Sequence, residues 1–247
     1  MFTFRTRSCR IGQRSSSPVT RCALAMMTIA VLVVSMGADE GEKKGPDAAK
    51  SKKVVLFDGK TLEGWKKTEF GGEGDVEVKD GMIVMNHGAS LTGITTKRKD
   101  LPTTNYELSF EAQRVNGFDF FAAATFPVGK SFATFLNGGW GGSVTGISSV
   151  DSYDASENET SQYLDYKDKR WYKFRIRVTD EKIKCWVDDK EVIDLITKGR
   201  KIDTRIEADA SKPLGFATWE TTGAVRKIEV RVLTPKEVAE TNKVDAN

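Results

Sequence analysis

An alternation of apolar and polar residues with a period of two recurs along this chain, and it constrains the fold more than any other feature. From Tyr172 to Val178 every second residue is apolar, and the run from Lys227 to Val232 repeats the pattern. Such alternation is typical of antiparallel strands with one buried face. No long helical periodicity and no succession of strands and helices accompanies it, which argues against Rossmann and TIM-barrel folds. We therefore predict an all-β chain folded as a two-sheet antiparallel β-sandwich or jelly roll.

Short polar segments set the expected limits of the folded unit. Tight turns are predicted at Lys79-Asp80-Gly81 and from Val187 to Lys190, each between two apolar runs. Residues 39–53 are polar and charged, so we expect a flexible linker there. The folded domain is predicted over residues 54–234. Residues 235–247 follow as a tail, with one helical turn begun by Thr234 and Pro235.

The first 38 residues have the layout of a secretory signal peptide. Five arginines and no acidic residue precede or flank an apolar run from Ala23 to Met36, and the small residues Gly37 and Ala38 follow it. We predict export to the periplasm or the extracellular space. The alternative is an uncleaved segment that anchors the chain at its N-terminus in a membrane. After cleavage Cys185 is the only cysteine left, and inside IKCWV it is expected to be a buried apolar residue.

Charge is unevenly distributed, and this bears on the class of partner. The whole chain carries a net charge of +3, but its first 38 residues contain five of the arginines. Residues 39–247 therefore hold 33 basic and 35 acidic side chains, a net charge of −2. This balance does not support a basic, nucleic-acid-binding domain, and we expect no nucleic acid as partner. Beyond export, we expect no membrane association, and the sequence does not indicate an oligomeric state.

A turn signal at Asn116-Gly117 places candidate chemistry on two strands. Asn-Gly between apolar-rich runs favours a two-residue hairpin turn. In that hairpin Arg114 would pair with Asp119, most simply as a cross-strand ion pair. Glu111 would share the outer face with Phe120, which suits a ligand cleft. The alternative is a covered strand pair in which Glu111 forms a salt bridge.

A tryptophan lies among four glycines in the segment NGGWGGS, residues 137–143. Glycines allow close approach of backbone or ligand and leave the indole of Trp140 unshielded. An exposed tryptophan is a platform for a sugar ring, whereas a tryptophan in a sandwich often fills the core. Both interpretations stay open for Trp140.

An acidic loop follows, and it is a candidate metal site. Asp151, Asp154 and Glu157 are spaced by three residues, and oxygen ligands of this kind suit a hard cation such as Ca²⁺. The spacing matches no established calcium loop, so a solvated acidic loop is the alternative. We expect no required cofactor, with Ca²⁺ as the one possible ion.

His87 is the only histidine of the chain. A zinc centre built from several histidines is therefore excluded, and no Gly-x-Ser-x-Gly motif accompanies it. His87 remains a candidate general base near neutral pH.

Several of these segments together resemble a known bacterial family. The opening VVLFDGKTLEGWK (54–66), the hairpin VEVKDGMIVM (76–85) and the strand YELSFEAQR (106–114) are similar to the secreted DUF1080 or 3-keto-disaccharide hydrolase family. IKCWVDDKEVID (183–194) and the closing residues 213–233 extend the resemblance over the folded unit. The GGWGG and DASENET stretches resemble a branch from planctomycete-type bacteria.

This resemblance implies a concanavalin- or glucanase-like jelly roll and hydrolysis of glycosides that carry a ketone at C3. The ketone acidifies the C2 proton, so that one base can start elimination of the aglycone before water adds back. Glu111, His87 or Asp119 would be that base. Arg114, or a cation on the acidic loop, would polarise the ketone, and Trp140 and Phe120 would contact the sugar. The alternative function is a non-catalytic, lectin-like module that binds carbohydrate.

Overall fold

The computed structural model describes residues 52–243, whose strands form two antiparallel sheets that pack face to face. The predicted signal peptide and all but the last two residues of the predicted linker lie outside this range. Among the helices of the described part, none is both long and apolar enough to cross a membrane. The predicted all-β sandwich is confirmed.

Sheet A, the larger sheet, has the strand order β13-β12-β11-β6-β15-β4-β3, with β1 also paired to β15. Its strands are β1 (Lys53–Val55), β3 (Val76–Lys79), β4 (Met82–Met85), β6 (Tyr106–Asn116), β11 (Tyr172–Val178), β12 (Lys182–Val187), β13 (Lys190–Ile196) and β15 (Thr222–Val232). The turns predicted after Lys79 and Val187 are confirmed, since they join β3 to β4 and β12 to β13.

Sheet B has the order β10-β9-β8-β7-β14-β5-β2. Its strands are β2 (Trp65–Lys67), β5 (Leu91–Thr96), β7 (Ala123–Val128), β8 (Ser131–Gly138), β9 (Val144–Ser148), β10 (Gln162–Tyr163) and β14 (Gly215–Trp219). Besides loops, the described chain contains a glycine-rich turn labelled α1 (Gly139–Gly142), a 3-10 helix (Ile206–Ser211) and the helix α2 (Pro235–Thr241).

The core lies between the sheets and is rich in aromatic rings. Phe110 and Phe174 of sheet A stack with ring centroids 5.0 Å apart, and Phe216 of sheet B meets Phe110 edge-on at 4.8 Å. Offset and edge-on contacts of this kind favour close packing of the two inner faces. The alternation seen in the sequence is therefore the alternation between this core and the two outer faces.

The family-like opening motif has a structural role. Leu56 and Phe57 are buried, and the indole N–H of Trp65 donates to the Leu56 carbonyl at 2.8 Å. The Asp58 carboxylate accepts from the backbone N–H groups of the two residues Lys60 and Thr61. The motif thus runs from β1, which pairs with β15 of sheet A, to β2, which pairs with β5 of sheet B.

The Asn116-Gly117 hairpin prediction is wrong. β6 belongs to sheet A and β7 to sheet B, so residues 117–122 cross between the sheets. Gly117 has φ +115, and a Cβ there would lie 2.7 Å from the Thr221 hydroxyl. Close approach to Thr221, rather than a two-residue turn, requires glycine at this position.

The chain end is more ordered than a frayed tail. α2 begins at Thr234 with a capping box, in which the Thr234 side chain accepts from the Glu237 N–H and the Glu237 carboxylate accepts from the Thr234 N–H. Arg231 ties Glu237 to sheet A at 2.8 Å. The helix start predicted at Thr234 and Pro235 is confirmed, and the helix runs for seven residues.

Candidate functional site

A cleft of about 340 Å³ lies on the outer face of sheet B, and we call it the sheet B cleft. Small side chains of the central strands form its floor: Ala123, Thr125, Thr134 and Ala217. Their sequence neighbours Ala124 and Phe216 point into the core. Small residues on a central strand face leave space for a ligand that bulky ones would fill.

Aromatic side chains form part of the cleft wall. Phe120 and Trp219 lie with ring centroids 6.5 Å apart, and Trp140 is also part of the lining. Trp140 is 49% exposed and Trp219 is 37% exposed, so part of each side chain remains accessible to a ligand. Trp140 is thus a presented ring, as one of the two sequence interpretations proposed. Phe120 lines the same cleft.

The glycine-rich segment explains how Trp140 is presented. Trp140 has φ 48 and ψ 54, and Gly141 has φ 82. Two consecutive left-handed residues are costly unless glycine supplies one of them and a partner holds the turn. That partner is Asp119, whose Oδ2 accepts from the Gly141 N–H at 2.9 Å.

Asp119 itself lines the cleft. Its Oδ1 accepts from the N–H of Phe120 at 2.8 Å. Within residues 52–243 no lysine or arginine forms a salt bridge with it. The predicted ion pair with Arg114 is wrong, because the chain crosses to the other sheet before Asp119. The carboxylate therefore lines the cleft without a salt-bridge partner among the described residues, and its oxygens accept from the backbone N–H groups of Phe120 and Gly141.

A second polar group lines the cleft from the loop before β14, and sequence reasoning missed it. Arg205 pairs with Glu207 at 3.0 Å and also donates to Asp154. Arg205 and Glu207 both line the cleft, and the hydrogen bond from Arg205 lowers the pKa of Glu207. No motif announces them, since Asp154 and Arg205 lie 51 positions apart in the chain.

The acidic loop is paired with arginines. Asp151 accepts from the backbone N–H of Lys201 and from Arg200, and these two contacts lower its pKa. Asp154 accepts from Arg205. Within the described residues no three His, Cys, Asp or Glu side chains are grouped so that they could hold a metal ion. The structure thus does not bring Asp151, Asp154 and Glu157 together as a cation site, and Ca²⁺ binding stays a prediction.

Glu111 lies away from the sheet B cleft, on the outer face of sheet A. Arg226 donates to it at 2.8 Å and Lys227 at 2.9 Å. Burial opposes its ionisation, but these hydrogen bonds outweigh that effect and lower its pKa. Glu111 lines a smaller cavity of about 240 Å³ there. The expected shared face with Phe120 is wrong, and the salt-bridged alternative describes Glu111.

Arg114 and His87 also lie outside the sheet B cleft. Arg114 is 9% exposed and donates to the Asp168 carboxylate and the Tyr166 carbonyl, both at 2.5 Å. His87 is exposed at the end of β4, where its backbone N–H donates to the Thr222 hydroxyl. Of the predicted site residues, the structure brings together Asp119, Phe120 and Trp140. Cys185 is fully buried, and burial raises the pKa of its thiol.

Comparison with known protein families finds one matching family model. The model of the 3-keto-alpha-glucoside-1,2-lyase-like domain matches residues 52–231, most of the described chain. A search of curated protein sequences finds no match.

Several solved structures are similar to this chain. The Crh5 transglycosylase in complex with NAG is 11% identical, with a TM-score of 0.50 over 76% of this chain and 85% of that chain. A glycosyl hydrolase family protein from Mycobacterium fortuitum is 9% identical, with a TM-score of 0.46 over 73% and 98%. The carbohydrate-binding module CBM66 from Bacillus subtilis is 12% identical, with a TM-score of 0.44 over 67% and 94%. At these identities the likeness concerns the fold alone.

Proposed function

This chain belongs to the 3-keto-alpha-glucoside-1,2-lyase-like family, and we propose that it is an exported enzyme that releases the aglycone from glycosides oxidised at C3. The sheet B cleft is the proposed active site. The observation that carries the proposal is the position of Asp119, an unneutralised carboxylate in a cleft walled by Phe120, Trp140 and Trp219.

The proposed chemistry needs one base and one positive group. Asp119 takes the proton from C2, and the electron pair forms an enolate whose charge lies on the C3 oxygen. The C3 carbonyl then re-forms, a C1–C2 double bond forms and the C1–O bond breaks. The leaving oxygen takes up a proton, so that no oxidant or reductant is consumed. Water adds across the double bond afterwards and completes a net hydrolysis.

Arg205 is the proposed positive group. Its guanidinium lines the same cleft and is held by Asp154 and Glu207. Although Asp154 and Glu207 offset much of its charge, a guanidinium N–H that donates to the C3 oxygen would stabilise the enolate. From the sequence, Arg114 or a bound cation was expected to polarise the ketone, but Arg114 lies outside the sheet B cleft. Trp140 would lie against the C–H face of the sugar.

The test is aglycone release from methyl 3-keto-glucoside, together with exchange of the C2 hydrogen in D₂O. Asp119→Asn should lower both by about 100-fold or more, the usual contribution of a general base. Glu77→Gln, an exposed carboxylate on β3, is the matched control and should leave both unchanged. Loss of both with Glu111→Gln, and not with Asp119→Asn, would move the active site to the outer face of sheet A.

The second candidate is a non-catalytic module that binds carbohydrate, and the exposed rings of Trp140 and Trp219 favour it equally. The carboxylate of Asp119 distinguishes the two, since sugar binding alone does not need a base. Sugar retention without C2 exchange or aglycone release would establish the binding module.

A further inference from the structure

We propose that a second depression, beside the glycine-rich turn, binds the ring of the leaving group; this rests on the proposed function and assigns Phe118 and Tyr163 to it. The depression has a volume of about 400 Å³. We call it the Tyr163 depression, and its lining includes Arg114, Phe118, Gly142, Tyr163, Leu164 and Asp165.

The Tyr163 depression shares a wall with the sheet B cleft. Asp119 lines the cleft and its neighbour Phe118 lines the depression, while Trp140 lines the cleft and its neighbour Gly141 lines the depression. The hydrogen bond from the Gly141 N–H to Asp119 joins these two segments. One residue along either segment therefore separates the two spaces. A glycoside whose sugar occupies the cleft would direct its aglycone across this wall.

The depression is flanked by aromatic rings that the fold does not use. Phe118 is 61% exposed and Tyr163 is 74% exposed. Neither ring is among the aromatic contacts of the described residues. Large exposed aromatic side chains beside a cavity mark ligand contacts more often than scattered surface residues do.

A buried polar atom also lacks a partner here. Arg114 lines the depression, and its Nη1 is inaccessible to solvent and makes no hydrogen bond within residues 52–243. Gly142 lies over this atom, since a Cβ at Gly142 would be 3.1 Å from Nη1. Buried donors without acceptors are rare in native proteins. Because Gly142 covers this atom, a ligand hydroxyl would reach it only if the Gly142 backbone shifts.

Charge favours a neutral, hydroxyl-bearing ring over an anion. The guanidinium of Arg114 is already paired with Asp168 at 2.5 Å, and Asp165 adds a second carboxylate to the lining. An anion would meet this negative charge, whereas a neutral sugar ring offers C–H faces to Phe118 and Tyr163 and hydroxyls to the Asp165 carboxylate.

The test compares two substrates, a 3-keto disaccharide and methyl 3-keto-glucoside. Tyr163→Ala and Phe118→Ala should each lower kcat/KM for the disaccharide about tenfold, in line with the loss of one aromatic contact. Turnover of the methyl glycoside should not change. Tyr153→Ala removes a ring that is 59% exposed and lies outside both spaces, and it serves as the matched control.

The outcomes separate this proposal from the proposed function. If Tyr163→Ala lowers turnover of both substrates equally, the leaving-group subsite is overturned. The same holds if neither variant lowers turnover of either substrate. In both cases the proposed enzymatic function is unaffected. If no substrate turns over, the binding constant for the unoxidised disaccharide decides. Weaker binding by Tyr163→Ala with unchanged binding of methyl glucoside would support the subsite on a binding module, and equal binding would overturn it.

Discussion

The Asp119 carboxylate accepts a hydrogen bond from the backbone N–H of Gly141 at 2.9 Å. This bond joins the crossing between the two sheets to the turn that presents Trp140. The proposed base and the proposed sugar platform are therefore held by one contact. Their relative position depends on this hydrogen bond.

Asp119→Ala should loosen the glycine-rich turn. The Gly141 N–H would lose an ionised acceptor, and hydrogen bonds to charged groups contribute about 1.5–3 kcal/mol. We expect the Gly141 amide to exchange with solvent at least about tenfold faster by NMR. The Gly129 amide, which lies in the turn between β7 and β8 and donates to the Thr103 carbonyl, should keep its rate. If the Gly141 amide exchanges at the same rate in the wild type and in Asp119→Ala, the turn does not depend on this hydrogen bond.

Trp140→Ala should weaken sugar binding and leave the fold intact. The ring is 49% exposed, so its removal opens no cavity in the core. Titration calorimetry with a glucoside should show affinity reduced about tenfold, the scale of one lost aromatic contact. Trp171→Ala is the matched control, since that ring lies under Arg226 outside the sheet B cleft. A larger loss with Trp171→Ala would place the sugar on sheet A.

Glu107→Gln should destabilise the protein strongly. Glu107 is 8% exposed and accepts from Arg177 at 2.5 Å and from Arg231 at 3.0 Å. Removal of its charge takes one ionised acceptor from these half-buried arginines, which keep Glu237 as a partner, and this costs about 1.5–3 kcal/mol. Urea unfolding measures this. Glu191→Gln, a carboxylate 39% exposed beside Lys184, should cost less than about 1 kcal/mol.

Stability should fall in acid partly through Glu237. The hydrogen bond from Arg231 lowers the pKa of Glu237 from 4.5 to about 2. A carboxyl with a depressed folded pKa stabilises the fold above its unfolded pKa, and that contribution is lost as the pH falls from 4.5 toward 2. The melting temperature of the wild type should therefore drop more steeply over this range than that of Glu237→Gln. Parallel curves would exclude this contribution.

Chelation should leave the melting temperature unchanged. Asp151 and Asp154 are neutralised by Arg200 and Arg205, so that the loop does not depend on a cation for its charge balance. Calorimetry with and without EDTA, and with added Ca²⁺, tests this. If Ca²⁺ raises the melting temperature and Asp151→Asn abolishes that rise, the predicted calcium site is supported.

Local patterns predicted the strands and two of the turns correctly, because these depend on neighbouring residues. Alternation at Tyr172–Val178 reports one buried face wherever the strand lies. The Asn116-Gly117 signal failed because the same dipeptide also suits a crossing between sheets. The partners of Glu111 could not be predicted either, because Arg226 and Lys227 lie more than a hundred residues further along the chain.

The sequence by itself determined an all-β sandwich, the family resemblance, and a presented Trp140 as one of two alternatives. Periodicity and short motifs carry that information because they arise from contacts near in the chain. Only the tertiary structure decided which polar groups meet. Asp119 reaches Trp140 through a sheet crossing, and Arg205 reaches the same cleft from the loop before β14. Such meetings depend on how two sheets stack, and no local pattern in the chain records that geometry.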